Sequence, residues 1–340
     1  MSKTISATVV GATGYTGSEA LRLLFAHPNV GQVRATSDRL AGQPLRTSCP
    51  WLDTDLVLEA YDPLSASESD VVFLCQSNGV AMRLAPELIE RTRVIDLSAD
   101  FRLTDLDEWE AWYRMPHARP AACAEAVYGL PELGDRTRIA QARLVANPGC
   151  YVTASLLALV PLERAGLIHG TPIIDAKSGV SGAGRSKADT EYLLSELAGS
   201  LKAYGVVGHR HTPEIEQLLG RPVRFAPHLL PFPRGIHATI HFPIAPGTTD
   251  ERLRAALKVF HGAHPFVRVC DPGYWPSTKE VLGTNSCRIA CAVDERTQLA
   301  TVVSVIDNLM KGAAGQAVQN MNLMFGFPET AGLPIHGVWP

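Results

Sequence analysis

The stretch ATVVGATGYTGSEALRLLFAH, residues 7–27, decides the first half of the fold. It reads as an apolar strand, a glycine-rich turn and a helix. Gly11, Gly14 and Gly17 have the spacing at which the first glycine permits a tight turn, the second lets the backbone approach a pyrophosphate, and the third packs helix on strand. The pyrophosphate would lie at the helix N-terminus. The stretch therefore predicts a dinucleotide-binding domain, with a tight turn that binds no ligand as the alternative.

The next predicted strand, VRATS at residues 33–37, bears on the choice of dinucleotide. Sites for NAD usually end this strand with a carboxylate that binds the ribose 2′-hydroxyl, whereas NADP sites place arginine and small polar groups there. Asp38 lies one place beyond the expected acidic position, and Arg39 could pair with a 2′-phosphate beside Ser37. NADP is favoured, and a solvated loop is the alternative.

Three further apolar runs continue the pattern: DVVFLCQ at 70–76, RVIDLS at 93–98 and RLVANP at 143–148. Such runs are typical of parallel strands that are buried on both faces. Gln76 ends the first run, at the edge where open α/β sheets bind their ligands. We expect an α/β domain over residues 1–149.

The composition narrows the possible classes of function. With 340 residues the chain is long enough for two domains, and its formal net charge of −3 argues against nucleic-acid binding. It has no apolar run long enough to span a bilayer, and its first residues lack the features of a signal peptide. The seven cysteines show no CxxC spacing, so neither a disulfide framework nor a metal site is expected. A cytoplasmic protein is the simplest interpretation.

The second half, residues 150–311, predicts an α+β substrate domain. Residues 171–179 and 223–244 read as strands, and residues 287–307 read as a hairpin. These strands would form a mixed or antiparallel sheet with helices on one face. A small-residue-rich helix within 312–340 is expected to return to the first domain and complete it.

One cysteine stands at a position that favours chemistry. In VANPGCYVTASLLAL, residues 145–159, a strand ends, Asn-Pro-Gly forms a corner and a helix begins. Cys150 would then lie at a helix N-terminus, where backbone N–H groups and the helix dipole favour a thiolate. The alternative is a cysteine that only fills the core.

Two histidines and three arginines could serve such a thiol. His209 and His211 precede the predicted helix start Thr-Pro-Glu, and either could act as a general acid or base. Solvated loop histidines are the alternative. Arg102 lies in the segment SADFR, and Arg185 and Arg234 lie beside glycines or prolines; if these guanidinium groups converge, they would hold a phosphate or carboxylate. Each arginine alone is more often a surface residue.

Together these segments resemble one family over nearly the whole chain. GATGYTG, LSADFR, YGLPE, NPGCY, SGVSGAGR, GHRHTPEI, PHLLPFPRGI and KGAAGQAVQN look like the motifs of the N-acetyl-γ-glutamyl-phosphate reductases, in the same order. The resemblance implies a Rossmann-type NADP domain and a substrate domain of the glyceraldehyde-3-phosphate and aspartate-semialdehyde dehydrogenase type. It also implies a homodimer or homotetramer.

The resemblance assigns roles to individual residues. Cys150 matches the nucleophile, and His211 is preferred to His209 as the acid/base because it directly precedes the helix start. The residues that match cofactor-binding positions are Gly11, Thr13, Gly14, Tyr15, Thr16, Gly17, Ser37, Arg39, Gln76, Ser178 and Gly179. The residues that match substrate-binding positions are Arg102, Asn147, Ser181, Arg185 and Arg234.

Such an enzyme would reduce N-acetyl-γ-glutamyl phosphate with NADPH, through a thioester on Cys150, in arginine biosynthesis. Three alternatives stay open. The chain could reduce aminoadipyl phosphate by the same chemistry, either instead of the glutamyl derivative or in addition to it, whereas NPGCY and GHRHTPEI argue against aspartyl phosphate. It could also be a non-catalytic NADP-binding sensor, or a thiol hydrolase or acyltransferase. Substrate assays, the reactivity of Cys150 and NADPH binding separate these alternatives.

Overall fold

The computed structural model divides the chain into two compact units. The residues that it describes are 4–118, 120–185 and 194–338. The first unit comprises Met1–Pro148 and Ala313–Leu333, and the second comprises Gly149–Gly312 and Pro334–Pro340.

Among the described residues, the first unit holds a six-stranded parallel sheet. Its strands are β1 (Ile5–Val10), β2 (Val30–Thr36), β3 (Val71–Leu74), β4 (Arg93–Asp96), β5 (Val127–Tyr128) and β6 (Leu144–Ala146). They lie in the order β2-β1-β3-β4-β6-β5, and neighbouring strands pair in parallel. Every residue of β3 is buried, as expected for a strand covered on both faces. The predicted parallel sheet is confirmed, and the two-residue strand β5 was not anticipated.

Helices connect these strands. They are α1 (Tyr15–Phe25), α2 (Pro63–Ala66), α3 (Ala81–Ile89), α4 (Leu106–Tyr113), α5 (Pro120–Glu125) and α6 (Arg136–Gln141). Helix α1 follows β1 directly through the glycine-rich turn, and its apolar residues Leu21, Leu23 and Leu24 are buried. The strand–turn–helix order predicted for residues 7–27 is therefore confirmed.

The part of the second unit that the structure describes is built on a seven-stranded mixed sheet. Its strands are β7 (Ile173–Gly179), β8 (Lys202–Ala203), β9 (Arg224–Leu230), β10 (Ile236–Pro243), β11 (Val267–Val269), β12 (Cys287–Asp294) and β13 (Leu299–Ile306), in the order β11-β12-β13-β10-β7-β9-β8. The pairs β7/β9 and β11/β12 are parallel, and the other pairs are antiparallel. Residues of β10 alternate between buried and half-buried, which is typical of a sheet packed on one face. The predicted mixed sheet and the hairpin of β12 and β13 are confirmed.

The helices of this unit are α7 (Cys150–Arg164), α8 (Leu194–Leu197), α9 (Thr212–Leu219) and α10 (Asp250–His261). All residues of α7 from Tyr151 to Leu162 are buried. Helix α7 is thus a core helix, and Cys150 is its first residue. No helix in the described ranges is long and apolar enough to cross a membrane.

The last described helix returns to the first unit. A π-helical turn, Met310–Ala314, leads into α11 (Gly315–Phe325). His27 Nε2 donates to Asn322 Oδ1 at 2.9 Å, which ties α11 to the end of α1. The helix is much shorter than the range 312–340 allows, because Gly326 ends it in the left-handed conformation with φ 70°.

Candidate active site

The glycine-rich turn between β1 and α1 leaves no room for a side chain at Gly11 or Gly17. Gly11 has φ 84°, and a Cβ there would lie 2.5 Å from the carbonyl oxygen of Cys75. A Cβ on Gly17 would lie 2.3 Å from the carbonyl oxygen of Gly11. Gly14 begins α1 without a side-chain cap in the described chain. Bare backbone N–H groups therefore start this helix, an arrangement that binds phosphate.

The end of β2 carries the residues expected to select the dinucleotide. Ser37 donates its backbone N–H to the carbonyl oxygen of Glu59 at 2.9 Å. The carboxylate of Asp38 accepts the backbone N–H of Tyr61 at 3.2 Å, whereas Arg39 is exposed. The acidic group is thus held by the protein backbone, and the cation beside it faces solvent.

The end of β3 is held in place by the neighbouring loop. A Cβ on Gly11 would lie 3.4 Å from Cδ of Gln76, so the Gln76 side chain lies against the glycine-rich turn. Asp100 accepts the backbone N–H groups of Gly79 at 2.8 and 3.0 Å and of Met82 at 2.9 Å. The SADFR segment therefore fixes the loop that joins β3 to α3.

Arg102 and Asn147, which are predicted to bind substrate, make hydrogen bonds within the first unit. Arg102 is 8% exposed, and its guanidinium donates to the carbonyl oxygens of Asn147 at 2.8 Å and Leu97 at 3.1 Å. The Asn147 amide donates to the carbonyl oxygen of Ala313 at 3.1 Å and accepts from Asn320 at 3.2 Å. Because both side chains are buried and bonded to protein, they stabilise the corner that precedes Cys150.

One buried side chain in the first turn of α11 is unsatisfied. Gln316 is fully buried, and neither its side-chain oxygen nor its nitrogen has a hydrogen-bond partner among the described residues. An unpaired buried polar group costs about 1–3 kcal/mol. Such a group requires an explanation, and a bound ligand is one. Sequence patterns did not single out this residue, because a glutamine in a helix is usually a surface residue.

Cys150 is the first residue of α7, and two functional groups lie against the residue that precedes it. The preceding residue, Gly149, donates its backbone N–H to Glu214 Oε1 at 3.0 Å. A Cβ on Gly149 would lie 2.6 Å from His211 Nε2 and 3.0 Å from Glu214 Oε2. The imidazole and the carboxylate therefore both lie against the residue that precedes the half-buried thiol. Glu214 is 1% exposed, and sequence reasoning did not select it.

The two candidate histidines have different surroundings. His209 packs edge-on against Tyr204 and Phe225, with ring centroids 5.4 and 5.2 Å away. Burial, reinforced by the charges of His211 and Arg210, lowers the pKa of His209 to about 2. Its Nδ1 accepts the backbone N–H of His211 at 3.1 Å. His209 is thus a neutral ring that supports the loop, whereas His211 faces Gly149.

The two glycine- and proline-rich loops predicted to bind anions are joined by backbone hydrogen bonds. Gly179 donates its N–H to Gly235 O at 2.9 Å, and Ser181 donates its N–H to Pro233 O at 3.1 Å. The Ser181 hydroxyl accepts from Asn308 at 2.9 Å. Within the second unit, these bonds bring the loop after β7 beside Arg234.

Three predicted residues in these loops have distinct environments. Ser178 is buried and donates its hydroxyl to Gly179 O at 2.9 Å. Arg234 Nε lies 3.5 Å from Oδ2 of the fully buried Asp307, so the guanidinium is anchored by a charge. Arg185 is exposed at the end of a described stretch.

The remaining cysteines are poor candidates for a nucleophile. The seven cysteines are free thiols, and Cys49 and Cys287 are buried. Burial raises the pKa of Cys123 to about 12 and that of Cys291 to about 11. The described residues contain no group of three or more His, Cys, Asp or Glu side chains that could hold a metal ion. Cys150 is the cysteine that begins a long helix beside a histidine.

Two protein families match the two halves of the chain. The family described as "Semialdehyde dehydrogenase, NAD binding domain" matches residues 6–142, and "Semialdehyde dehydrogenase, dimerisation domain" matches residues 150–308. Aspartate semialdehyde dehydrogenase II from Vibrio cholerae has a similar structure, with a TM-score of 0.73 at 18% identity, over 96% of this chain and 99% of that chain. The enzyme from Candida albicans has a TM-score of 0.71 at 16% identity, over 95% of this chain and 99% of that chain. These likenesses establish the fold.

Sequence relatives are much more similar. The chain is 50% identical to N-acetyl-gamma-glutamyl-phosphate reductase of Symbiobacterium thermophilum over 97% of both chains. It is 49% identical to the protein of that name from Laribacter hongkongensis, over 99% of this chain and all of the relative. Similarity at this level, over the full length, shows the family and with it a nicotinamide-dinucleotide-binding oxidoreductase. The chain belongs to the N-acetyl-γ-glutamyl-phosphate reductase family, within the semialdehyde dehydrogenase superfamily.

Proposed function

We propose that this protein reduces N-acetyl-γ-glutamyl phosphate to N-acetylglutamate 5-semialdehyde with NADPH, through a thioester on Cys150, in arginine biosynthesis. The observation that carries the proposal is the start of α7, where a half-buried thiol follows a residue in contact with His211 Nε2 and Glu214 Oε2. A thiol, an imidazole and a helix N-terminus are the groups that thioester chemistry needs.

The first unit fits a nicotinamide dinucleotide. Gly11 and Gly17 are positions where a Cβ would collide with the protein backbone, so they allow the tight turn, and the missing side chain of Gly14 would let a pyrophosphate approach the start of α1. The buried, unpartnered amide of Gln316 has one donor group and one acceptor atom, which match a nicotinamide carboxamide. Arg39 and Ser37 at the end of β2 would bind the 2′-phosphate, which favours NADP. Thr13, Tyr15, Thr16 and Gln76 line or adjoin the same turn, and Gly14 starts its helix.

The second unit supplies the covalent chemistry. Cys150 Sγ attacks the carbonyl carbon of the acyl phosphate, the C–O bond to phosphate breaks, and a thioester and inorganic phosphate form. The N–H groups at the start of α7 stabilise the thiolate and the carbonyl oxygen as negative charge develops there. When bound, the nicotinamide supplies the hydride that reduces the thioester. His211, in its protonated form, protonates the resulting oxyanion to give a thiohemiacetal, and it takes that proton back as the C–S bond breaks, which frees the aldehyde and restores the thiolate.

Three further groups complete the proposed site. Glu214 accepts the backbone N–H of Gly149 and lies beside His211. It would therefore fix the position of the residue before Cys150 relative to the His211 imidazole. Arg234, anchored on Asp307, would receive the phosphate or the substrate carboxylate, together with Ser181 and Arg185. Ser178 and Gly179, in the loop paired with Arg234, remain candidate cofactor or anion contacts.

We also propose a cytoplasmic homodimer or homotetramer. The match of the second unit to a domain described as a dimerisation domain supports the oligomer. Seven free thiols fit a reducing compartment. Sedimentation equilibrium on the purified protein measures the oligomeric state, and a monomer at micromolar concentration would refute it.

The reverse reaction tests the proposed function. The purified protein should reduce NADP when given N-acetylglutamate 5-semialdehyde and inorganic phosphate, and omitting phosphate should stop the reaction. Cys150→Ala should abolish turnover and leave NADPH binding, followed by nucleotide fluorescence, unchanged. Cys123→Ala is the matched control, because that thiol has a raised pKa and no role in the scheme.

Each failure has a distinct meaning. Turnover with aminoadipate semialdehyde in place of the glutamate derivative would indicate the lysine-pathway enzyme. NADPH binding without turnover would indicate a sensor. Substantial activity in Cys150→Ala would disprove the thioester.

A further inference from the structure

The turn before α11 has an unusual hydrogen-bond pattern. Gly312 donates its backbone N–H to the carbonyl oxygen of Asp307 at 3.0 Å, a bond between residues five apart. A π-helical turn interrupts the regular hydrogen-bond pattern of an α-helix, and such turns are frequent at functional sites.

The carboxylate of Asp307 makes the turn rigid. Its Oδ1 accepts the backbone N–H groups of Leu309 at 2.8 Å and Met310 at 3.2 Å. Its Oδ2 accepts the backbone N–H of Gly283 at 2.7 Å. Asp307 is fully buried, so these charge-assisted bonds are shielded from water. The backbone that leads into the π-helical turn is therefore held in place by the Asp307 carboxylate.

Gly312 brings this turn against the nucleophile. A Cβ on Gly312 would lie 2.7 Å from Cβ and 3.3 Å from Cα of Cys150, and 3.4 Å from the carbonyl oxygen of Asp307. A contact of 2.7 Å between carbon atoms is far inside van der Waals distance. The φ of Gly312 is not in the left-handed region, so the need for glycine here comes from the contact and not from the backbone conformation.

We infer that Gly312 is a positioning residue, whose bare Cα forms the back wall against Cys150 and fixes where the thiol sulfur lies. The Cα of Gly312 occupies the space on one side of the Cα–Cβ bond of Cys150. The sulfur must therefore point away from Gly312. The inference rests on the proposed function, because it gives Gly312 a catalytic consequence only if Cys150 is the nucleophile. A shift of the thiol by about 1 Å is enough to cost about 10²-fold in rate.

The test is Gly312→Ala in the full-length protein. We expect kcat for phosphate-dependent reduction of NADP to fall by about 10²-fold, while the KM for NADP changes by less than about threefold. Alkylation of Cys150 by iodoacetamide should slow in the same variant. Gly31→Ala is the matched control, because a Cβ on this exposed glycine would lie no closer than 3.4 Å to its nearest neighbour.

A second background separates the contact with Cys150 from general damage to the turn. Gly312→Ala should lower the Tm of the wild type, and most of that loss should disappear in Cys150→Gly, which lacks the Cβ that the new methyl group meets. If Gly312→Ala does not fold in the wild type, recovery of a folded protein in Cys150→Gly supports the inference.

Two results would overturn the inference. One is a kcat for Gly312→Ala within about threefold of an active wild type. The other is an equal loss of Tm in both backgrounds. A wild type without phosphate-dependent reduction would instead disprove the proposed function, and the Tm comparison would still report on the contact.

Discussion

Replacing His209 by asparagine tests whether this ring is structural. Burial and the neighbouring charges of His211 and Arg210 lower the pKa of His209 to about 2, compared with 6.5 for an ordinary histidine. The folded protein therefore binds fewer protons at this residue than the unfolded chain does. The part of the free energy of unfolding that depends on His209 should be fully present above pH 6.5. It should decrease as the pH falls below that value.

The magnitude follows from the size of the shift. Each pH unit below the unfolded-state pKa costs about 1.4 kcal/mol through one such group. Between pH 7 and pH 5, His209 should therefore remove up to about 2 kcal/mol of the free energy of unfolding. Asparagine does not titrate, and its amide oxygen can accept the His211 backbone N–H that His209 Nδ1 accepts at 3.1 Å. The variant should lose packing against Tyr204 and Phe225 but not this pH dependence.

Urea denaturation at several pH values from 7.5 to 5 measures the effect. The gap in unfolding free energy between the wild type and His209→Asn should narrow by up to about 2 kcal/mol as the pH falls. Activity at pH 7.5 gives the second readout: His211→Asn should lower kcat by about 10²–10⁴-fold, and His209→Asn by less than about tenfold. Parallel stability curves, or equal losses of kcat, would refute the reasoning.

Three more substitutions test other parts of the site. Gly17→Ala places a methyl group 2.3 Å from the carbonyl oxygen of Gly11, so NADPH binding, measured by fluorescence titration, should weaken by more than about tenfold; unchanged binding would contradict the proposed turn. Arg39→Ala should reduce the preference for NADP over NAD by about tenfold, measured as a ratio of kcat/KM values, and an unaltered ratio would remove Arg39 from the site. Glu214→Gln keeps an acceptor for Gly149 but loses the charge, so kcat should fall about tenfold with KM for phosphate steady; a change confined to KM would argue for substrate binding instead.

Local sequence patterns predicted the first unit and the position of Cys150 at the start of a helix. The glycine-rich turn could be recognised because its conformation is set by residues a few positions apart, namely Gly11, Gly14 and Gly17. The same holds for the corner before Cys150, where Asn-Pro-Gly ends a strand and a core helix starts at once. Buried apolar runs located the parallel strands, since such strands have few polar residues.

Long-range contacts could not be predicted from one sequence. Glu214 contacts Gly149 across 65 positions, and nothing in TPEIEQ distinguishes this acid from an ordinary first-turn glutamate. The segment GHRHTPEI does not show which of His209 and His211 is buried, and only the packing around His209 distinguishes the two. Asn147 belongs to the most distinctive motif of the chain, yet its amide is used to hold Asn320 and the carbonyl oxygen of Ala313.

The return of α11 to the first unit has a consequence for how the protein is made. The amide of Gln319 donates to Glu132 at 2.9 Å, and that of Asn320 donates to Gly129 O at 2.8 Å. Pro148 is synthesised long before Ala313. At a translation rate of about 5–20 residues per second, the delay between them is about 10–30 s. Throughout that interval the nascent nucleotide-binding unit lacks the helix that satisfies Gly129 and Glu132. Synthesis from the N-terminus therefore leaves the unit that is translated first without its last helix until the whole second unit has been translated.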